Sequence, residues 1–377
     1  MTADAKDVIV IGAGIVGCLT GYLLAKQGLK VTILEVDSVG SHASGFAFGG
    51  LGPLDGSGIP DPLLEFSVWC FERQVTIAQE LLESTGIDTQ FHLRDRLNLA
   101  FKEEEIRSYQ EDLKWQKEVP GFKVQWLEPH EALQVEPRTN PACLGAIFYQ
   151  GTGAVEAYRY NLAAAQAGEK LGADMLQRRV TGLLADGDRC LGVTFENGQM
   201  AAGLIVLAMG PWTQQASRWS GFNIPIRPLK GQIIRLQLSE DPMRASLNYS
   251  GSYAASKPDG LIWAGTTEEE VGFDEELTTA GRDKVMGDLL KMAPSLSEAE
   301  LVQQTACLRP LSPDGIPIVG VVPGWQNLYL ATGGGRKGIL WSTGMCEGLA
   351  DLILKGSSTV PGLAALNPNR FASNAET

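Results

Sequence analysis

Three glycines and one acid offer the first chemistry in the sequence. Gly12, Gly14 and Gly17 stand in the run Ile11-Gly12-Ala13-Gly14-Ile15-Val16-Gly17, and Glu35 follows about 20 residues later. This spacing suits a dinucleotide pyrophosphate. One glycine permits a tight turn, the next lets backbone approach the phosphates, and the third lets a helix pack closely on a strand. The N-terminus of the helix that follows would turn free N–H groups and a partial positive charge toward the phosphates. Glu35 can accept hydrogen bonds from ribose hydroxyls.

Such a glycine pattern occurs by chance, so its weight comes from the elements around it. Asp7–Ile11 is apolar and β-branched, the pattern of a parallel strand buried on both faces. The sequence predicts a helix over Cys18–Gln27, stopped by Gly28, and a second strand over Lys30–Leu34 that ends at Glu35. The unit fits NAD or FAD. Its place at the N-terminus favours FAD. The next stretch, Val39–Leu51, is dense in small residues that let backbone lie against a flat ring, while Phe46, Phe48 and Leu51 call for burial.

Composition narrows the partners. A net charge of -13 over 377 residues disfavours nucleic acid. The six cysteines form no CxxC pair, and His42, His92 and His130 lack metal-ligand spacing, so no metal site is expected and the thiols read as reduced and buried. No cleavable leader or spanning segment is evident, which points to a cytoplasmic protein and leaves peripheral membrane contact open. His42 reads as a solvated loop histidine.

Further blocks carry a resemblance. They are Gly151–Tyr158, Arg178–Gly182 around Val180, Leu204–Trp212 through Gly210, Ile226–Gln232, Cys307–Pro310 with Pro313–Gly320, and Ala331–Ile339. Together with the N-terminal turn they make the chain similar to the D-amino-acid oxidase superfamily of FAD-dependent oxidoreductases, nearest to glycine oxidase, D-amino-acid dehydrogenase and sarcosine oxidase. The resemblance implies an α/β fold: a Rossmann-type FAD-binding domain with a second, mainly antiparallel-sheet substrate domain of α+β type. The first would be assembled from 1–85, 146–221 and 306–377, the second from 86–145 and 222–305.

The resemblance also implies roles. Arg309 would hold the substrate carboxylate, for which a planar, permanently charged fork is suited, and Tyr253 would cover the substrate. Cofactor contacts would come from Gly12, Gly14, Ile15, Val16, Gly17, Glu35 and Val36, from Ala43, Ser44, Phe48, Gly49 and Gly50, and from Val180 and Gly210. At the C-terminal end they would come from Gly334, Gly335, Arg336, Lys337, Gly338 and Ile339. There a helix N-terminus near Lys337 would stabilise negative charge on the reduced flavin, with Arg336 and Lys337 adding to it, turned to solvent or aimed at the phosphates.

The implied reaction is FAD-dependent oxidation of the C–N bond of a small, carboxylate-bearing amine: glycine, sarcosine, a D-amino acid or a cyclic imino acid. Hydride would pass from the α-carbon to flavin N5. Alternatives on the same fold are a 2-hydroxy acid dehydrogenase and an FAD-holding subunit of a larger amine dehydrogenase. A homo-oligomer is expected. Cys307 falls near the place where sarcosine oxidase attaches its flavin, but its Leu-Arg-Pro neighbours accompany a noncovalent FAD. Three departures reshape the pocket: Gly335 where an aromatic residue is usual, Lys337 for asparagine, and a glycine-rich loop over Gly49–Gly58.

Overall fold

The first strand is apolar at successive positions because both of its faces are covered. In the computed structural model, which describes residues 6–238 and 241–375, Val8 and Val10 enter one buried cluster. Ile9 and Ile11 enter another on the opposite side. This strand, Lys6–Ile11, lies between Val31–Glu35 and Gly198–Leu207, parallel to both, with Ile11 level with Leu34 and Leu207. Beyond them, Asp174–Gln177 extends the sheet on one side, and Leu328–Thr332 and then antiparallel Ile318–Val321 extend it on the other.

The chain leaves the first strand toward one neighbour and later returns on the other side. This reversal opens a crevice at the carboxyl ends of the strands, where ligands of open α/β sheets bind. Three helices cover the first of the two faces: Ile15–Lys26, Ala157–Lys170 and Gly338–Lys355, with Leu64–Thr85 packed on the latter two. The first helix is buried nearly all round, which explains why its sequence shows no polar stripe. Trp341 is fully buried and its indole N–H donates to Ser67. The buried Gln74 amide donates to the Ile339 carbonyl at 2.7 Å, anchoring the first turn of the last long helix.

These elements belong to one compact unit formed by Met1–Phe91, Val155–Leu229 and Leu308–Thr377. A second unit comprises His92–Ala154 and Lys230–Cys307. Its mainly antiparallel sheet runs, in hydrogen-bonded order, through Ile262–Gly265, Ser252–Ser256, Ala245–Tyr249, His92–Ala100 and Gly145–Ala154, with Lys123–Leu127 on the last. Ala245–Tyr249 and His92–Ala100 are the parallel pair in this series. Leu97, Leu99, Leu247, Ala254 and Ala264 bury one face of that sheet with Val285 and Leu289 of the helix Thr279–Met292. The expected mixed α/β architecture, with its Rossmann-type sheet and antiparallel partner, is observed. Among the described residues no helix is long and apolar enough to cross a membrane.

Candidate functional site

The glycine turn has the close approaches its spacing calls for. Gly12 adopts φ 107°, and a β-carbon there would overlap the carbonyl oxygen of Ala208, whose N–H donates to Ile11. A β-carbon on Gly17 would overlap the carbonyl oxygen of Gly12, so only glycine lets the helix sit this tightly on the turn. Gly14 caps the helix with no side-chain bond, and a β-carbon there would meet only Ser44 Oγ, at 3.1 Å. The helix start is thus held against the turn and lined by small groups.

Glu35 organises the end of the second strand. Its carboxylate accepts the Ala13 N–H at 2.7 Å through one oxygen and the Val36 and Asp37 N–H groups at 2.7 and 3.0 Å through the other. Its own carbonyl accepts the Arg178 N–H, which brings Val180, at the start of Val180–Asp186, to this end of the sheet. A carboxylate held by backbone at a strand terminus is poised to share its remaining lone pairs with hydroxyls.

The segment after the second strand folds over the helix start. Ala43–Phe46 forms one helical turn, and Ser44 Oγ accepts the Ile15 N–H at 2.9 Å. Val16 and residues 41–48, which include Ala43 and Phe48, are half-buried. Val155 N–H donates to the carbonyl of Gly49, which is buried, and Gly50 follows exposed. His42 differs from the solvated reading: its Nε2 lies 2.9 Å from Asp37, and its ring stands 4.6 Å from that of Trp212. Asp37, five residues earlier, is the signal in the sequence for this pairing.

Two residues that sequence reasoning missed complete this region. Asn161, fully buried on the helix Ala157–Lys170, donates to the Ala13 carbonyl at 3.1 Å. Ser41 follows Gly40, whose N–H also donates to Ala13, and its hydroxyl is buried with no hydrogen-bond partner within the described protein. A hydroxyl buried without a partner costs about 1–3 kcal/mol unless something else accepts from it. This residue set fits a dinucleotide: a glycine cradle, a helix start, an acid at the ribose position and a spare hydroxyl donor.

The other implied residues lie on the same unit, apart from Tyr253. Gly210 opens the short helix Gly210–Ala216, and its carbonyl accepts from Thr213 and Thr332 at 2.7 and 2.9 Å. Gly334 and Gly335 lead through a tight turn at Arg336 and Lys337 into the helix that begins with Gly338 and Ile339. Arg309 is half-buried near the end of its strand, and a β-carbon on Gly335 would stand 4.0 Å from the carbonyl of the next residue, Pro310. The strand end bearing Arg309 therefore abuts the turn before the last long helix. Arg336 is exposed, whereas the Lys337 amine turns into the glycine-rich loop, meeting the Gly52 carbonyl at 2.6 Å and the Asp55 carboxylate. With 15% of its side chain exposed, Lys337 is turned away from solvent. On the second unit, half-buried Tyr253 pairs with Asn248 and Gly265, its ring lying over Gly265.

All six cysteines are buried and free. Burial pushes the thiols of Cys70 and Cys346 up to about 12, and burial with Glu35 nearby pushes Cys18 higher still. Among the described residues no group of three or more His, Cys, Asp or Glu could hold a metal ion.

A parallel sheet whose first strand ends in a glycine turn, with an acid at the next strand end, defines a dinucleotide-binding fold. The family described as FAD dependent oxidoreductase matches residues 7–352, and the chain belongs to it. It is similar to the glycine oxidase of Pseudomonas aeruginosa, 31% identical over 353 residues covering 93% of this chain and 95% of that one. The hydrogen cyanide synthase subunit HcnC of the same organism is 27% identical over 89% of each chain. Among solved structures, glycine oxidase from Geobacillus kaustophilus superposes with a TM-score of 0.92 at 28% identity, covering 97% of this chain and 98% of that one. The protein is thus an FAD-dependent enzyme of the amino acid oxidase and dehydrogenase class, as the resemblance implied.

Proposed function

We propose that the enzyme oxidises the C–N bond of a small amino acid, with Arg309 holding its carboxylate. The observation that carries this reading is the placement of Arg309. It sits, half-buried, on a strand end whose next residue, Pro310, lies against Gly335 in the turn before the last long helix, and its guanidinium is a planar, permanently charged fork suited to a carboxylate. The likeness to glycine oxidases supports an amine substrate of this size.

Bound FAD supplies the two-electron acceptor for a hydride leaving the α-carbon. The chain's residues supply position. In this reading Gly12, Gly14, Gly17, Ile15 and Val16 cradle the pyrophosphate, and Glu35 with Val36 takes the ribose. Ala43, Ser44, Phe48, Gly49 and Gly50 line the cofactor, as do Val180 and Gly210. The head of the last long helix, from Gly334 to Ile339, offers N–H groups where negative charge develops. Arg309 fixes one end of the substrate so that its C–H bond has a single orientation, which converts binding into rate. Tyr253 is assigned to substrate contact on the resemblance, and Tyr253→Phe tests that assignment separately. No side-chain base is required when the amine binds uncharged.

Anaerobic mixing with glycine, sarcosine, D-amino acids, cyclic imino acids and 2-hydroxy acids, followed by admission of air, tests the reading. Bleaching of the flavin by an amino acid is the expected result. Bleaching by hydroxy acids alone, or by nothing until a partner chain is added, would overturn it. Arg309→Leu should raise KM about 100-fold while flavin content is retained, a loss in the range of one charge-assisted hydrogen-bonded pair. Unchanged KM would remove Arg309 from the site.

A further inference from the structure

The loop from Gly52 to Gly58 carries three glycines and one acid, and its chain would have many conformations if left alone. It is held instead. Lys337 Nζ donates to the Gly52 carbonyl at 2.6 Å and pairs with the Asp55 carboxylate, 282 residues away in sequence. Gly56 makes this reach feasible: it adopts φ 109°, and a β-carbon there would stand 2.8 Å from Lys337 Cε. The lysine side chain is 15% exposed and the aspartate 33%, so neither is a freely solvated surface charge.

The same loop packs on the segment that follows Arg309. A β-carbon on Gly315 would stand 2.5 Å from Ser57 Oγ, and one on Gly58 would touch Ile316 at 3.4 Å. On its other side Lys337 belongs to the turn whose Gly335 lies against Pro310. The loop is therefore wedged between the two stretches that flank the proposed carboxylate site, and it carries a negative charge into that wall.

We propose that Lys337 is a positioning residue that sets substrate selection: it pins the Gly52–Gly58 loop and cancels the Asp55 charge that would otherwise repel a carboxylate substrate. The proposal deepens the amino acid reading and rests on it for the substrate. The ties to Gly52 and to Asp55 together restrain the loop, and the tie to Asp55 also removes a charge.

The test uses the FAD-loaded protein and two readouts that need no turnover. Acetate binding is followed by the change it causes in flavin absorption, and loop opening by the rate of proteinase K cleavage within residues 52–58. Lys337→Met should weaken acetate binding at least tenfold and speed cleavage at least tenfold. Adding Asp55→Asn to that variant should bring the acetate Kd back to within threefold of the original, while cleavage stays fast. Lys337→Arg keeps charge and reach and should hold both values within threefold. Asp55→Asn alone retains the bond to Gly52 and should be cut at an intermediate rate, which keeps the proposal testable where Lys337→Met fails to fold.

Cleavage of Lys337→Met or Asp55→Asn at the original rate would overturn the latch. A double variant that binds acetate no better than Lys337→Met would overturn the charge cancellation. These failures are distinct from failure of the substrate reading. In that case the unaltered enzyme binds no acetate and no amino acid bleaches it, yet the cleavage rates still follow Lys337.

Discussion

The Glu35 carboxylate accepts the Ala13 N–H at 2.7 Å, tying the end of the second strand to the middle of the glycine turn across 22 residues. Turn and acid are therefore one preorganised unit. Truncation should loosen both: Glu35→Ala frees the Ala13, Val36 and Asp37 N–H groups and removes the ribose acceptor. Kd for FAD is expected to rise at least tenfold, about 1.4 kcal/mol, measured by flavin fluorescence on refilling the apoprotein. An unchanged Kd would show that the carboxylate neither contacts the cofactor nor preorganises the turn that cradles it.

Gly17 gives a sharper prediction, because the obstacle is backbone. A β-carbon there overlaps the Gly12 carbonyl oxygen, and a carbonyl in a tight turn cannot swing away as a flexible side chain can. Gly17→Ala should force the first helix off the turn and destabilise the protein by about 1–3 kcal/mol, the usual cost of overpacking. The purified variant should be nearly colourless and melt lower than the parent. Full flavin content would contradict this account of the turn.

The N-terminal unit is legible in the sequence because its determinants are local. Strand, turn, helix and acid fall within about 35 residues, a βαβ length, and the spacing alone supplies a steric reason for each glycine. Asn161 and Ser41 are not legible, since an asparagine in a helix and a serine in a loop carry no spacing signal until the fold sets Asn161 against the Ala13 carbonyl and buries the Ser41 hydroxyl. Lys337 stands out as a departure, yet its direction cannot be read from sequence, because Asp55 lies 282 residues earlier. His42 reads as solvated for a related reason: Trp212, its ring neighbour, comes from the distant short helix Gly210–Ala216.

Cysteine chemistry separates the two ways of holding a flavin. All six thiols are buried, and burial pushes those of Cys18, Cys70, Cys143, Cys190 and Cys346 upward, away from the reactive thiolate. Ellman's reagent should find almost no reactive thiol in the native protein and six after unfolding. Acid precipitation should leave the yellow colour in the supernatant. Flavin that remains with the polypeptide, together with only five titratable thiols, would establish a covalent bond, with Cys307 the first candidate.

The cluster joining three helices makes a signed prediction about acid. Glu80, on Leu64–Thr85, pairs with Lys26 and Arg73, each at 2.8 Å, and Arg73 also holds Glu347 on the last long helix. Burial opposes ionisation of Glu80, but hydrogen bonds from Lys26 and Arg73 outweigh it and keep the carboxyl below its ordinary value of 4.5. A depressed carboxyl stabilises the folded state fully above its unfolded value, and that contribution disappears as pH falls through the folded value. Lys26 is 45% exposed and Glu80 31%, so screening limits the effect to less than about 1 kcal/mol. Glu80→Gln should therefore melt slightly below the parent at pH 7, by at most about 2 °C. The gap should close as pH is lowered below 4.5, where the parent also loses the charge. Melting curves of both proteins at pH 7 and pH 3.5 decide it, and a gap that widens in acid would mean that Glu80 is held neutral in the fold.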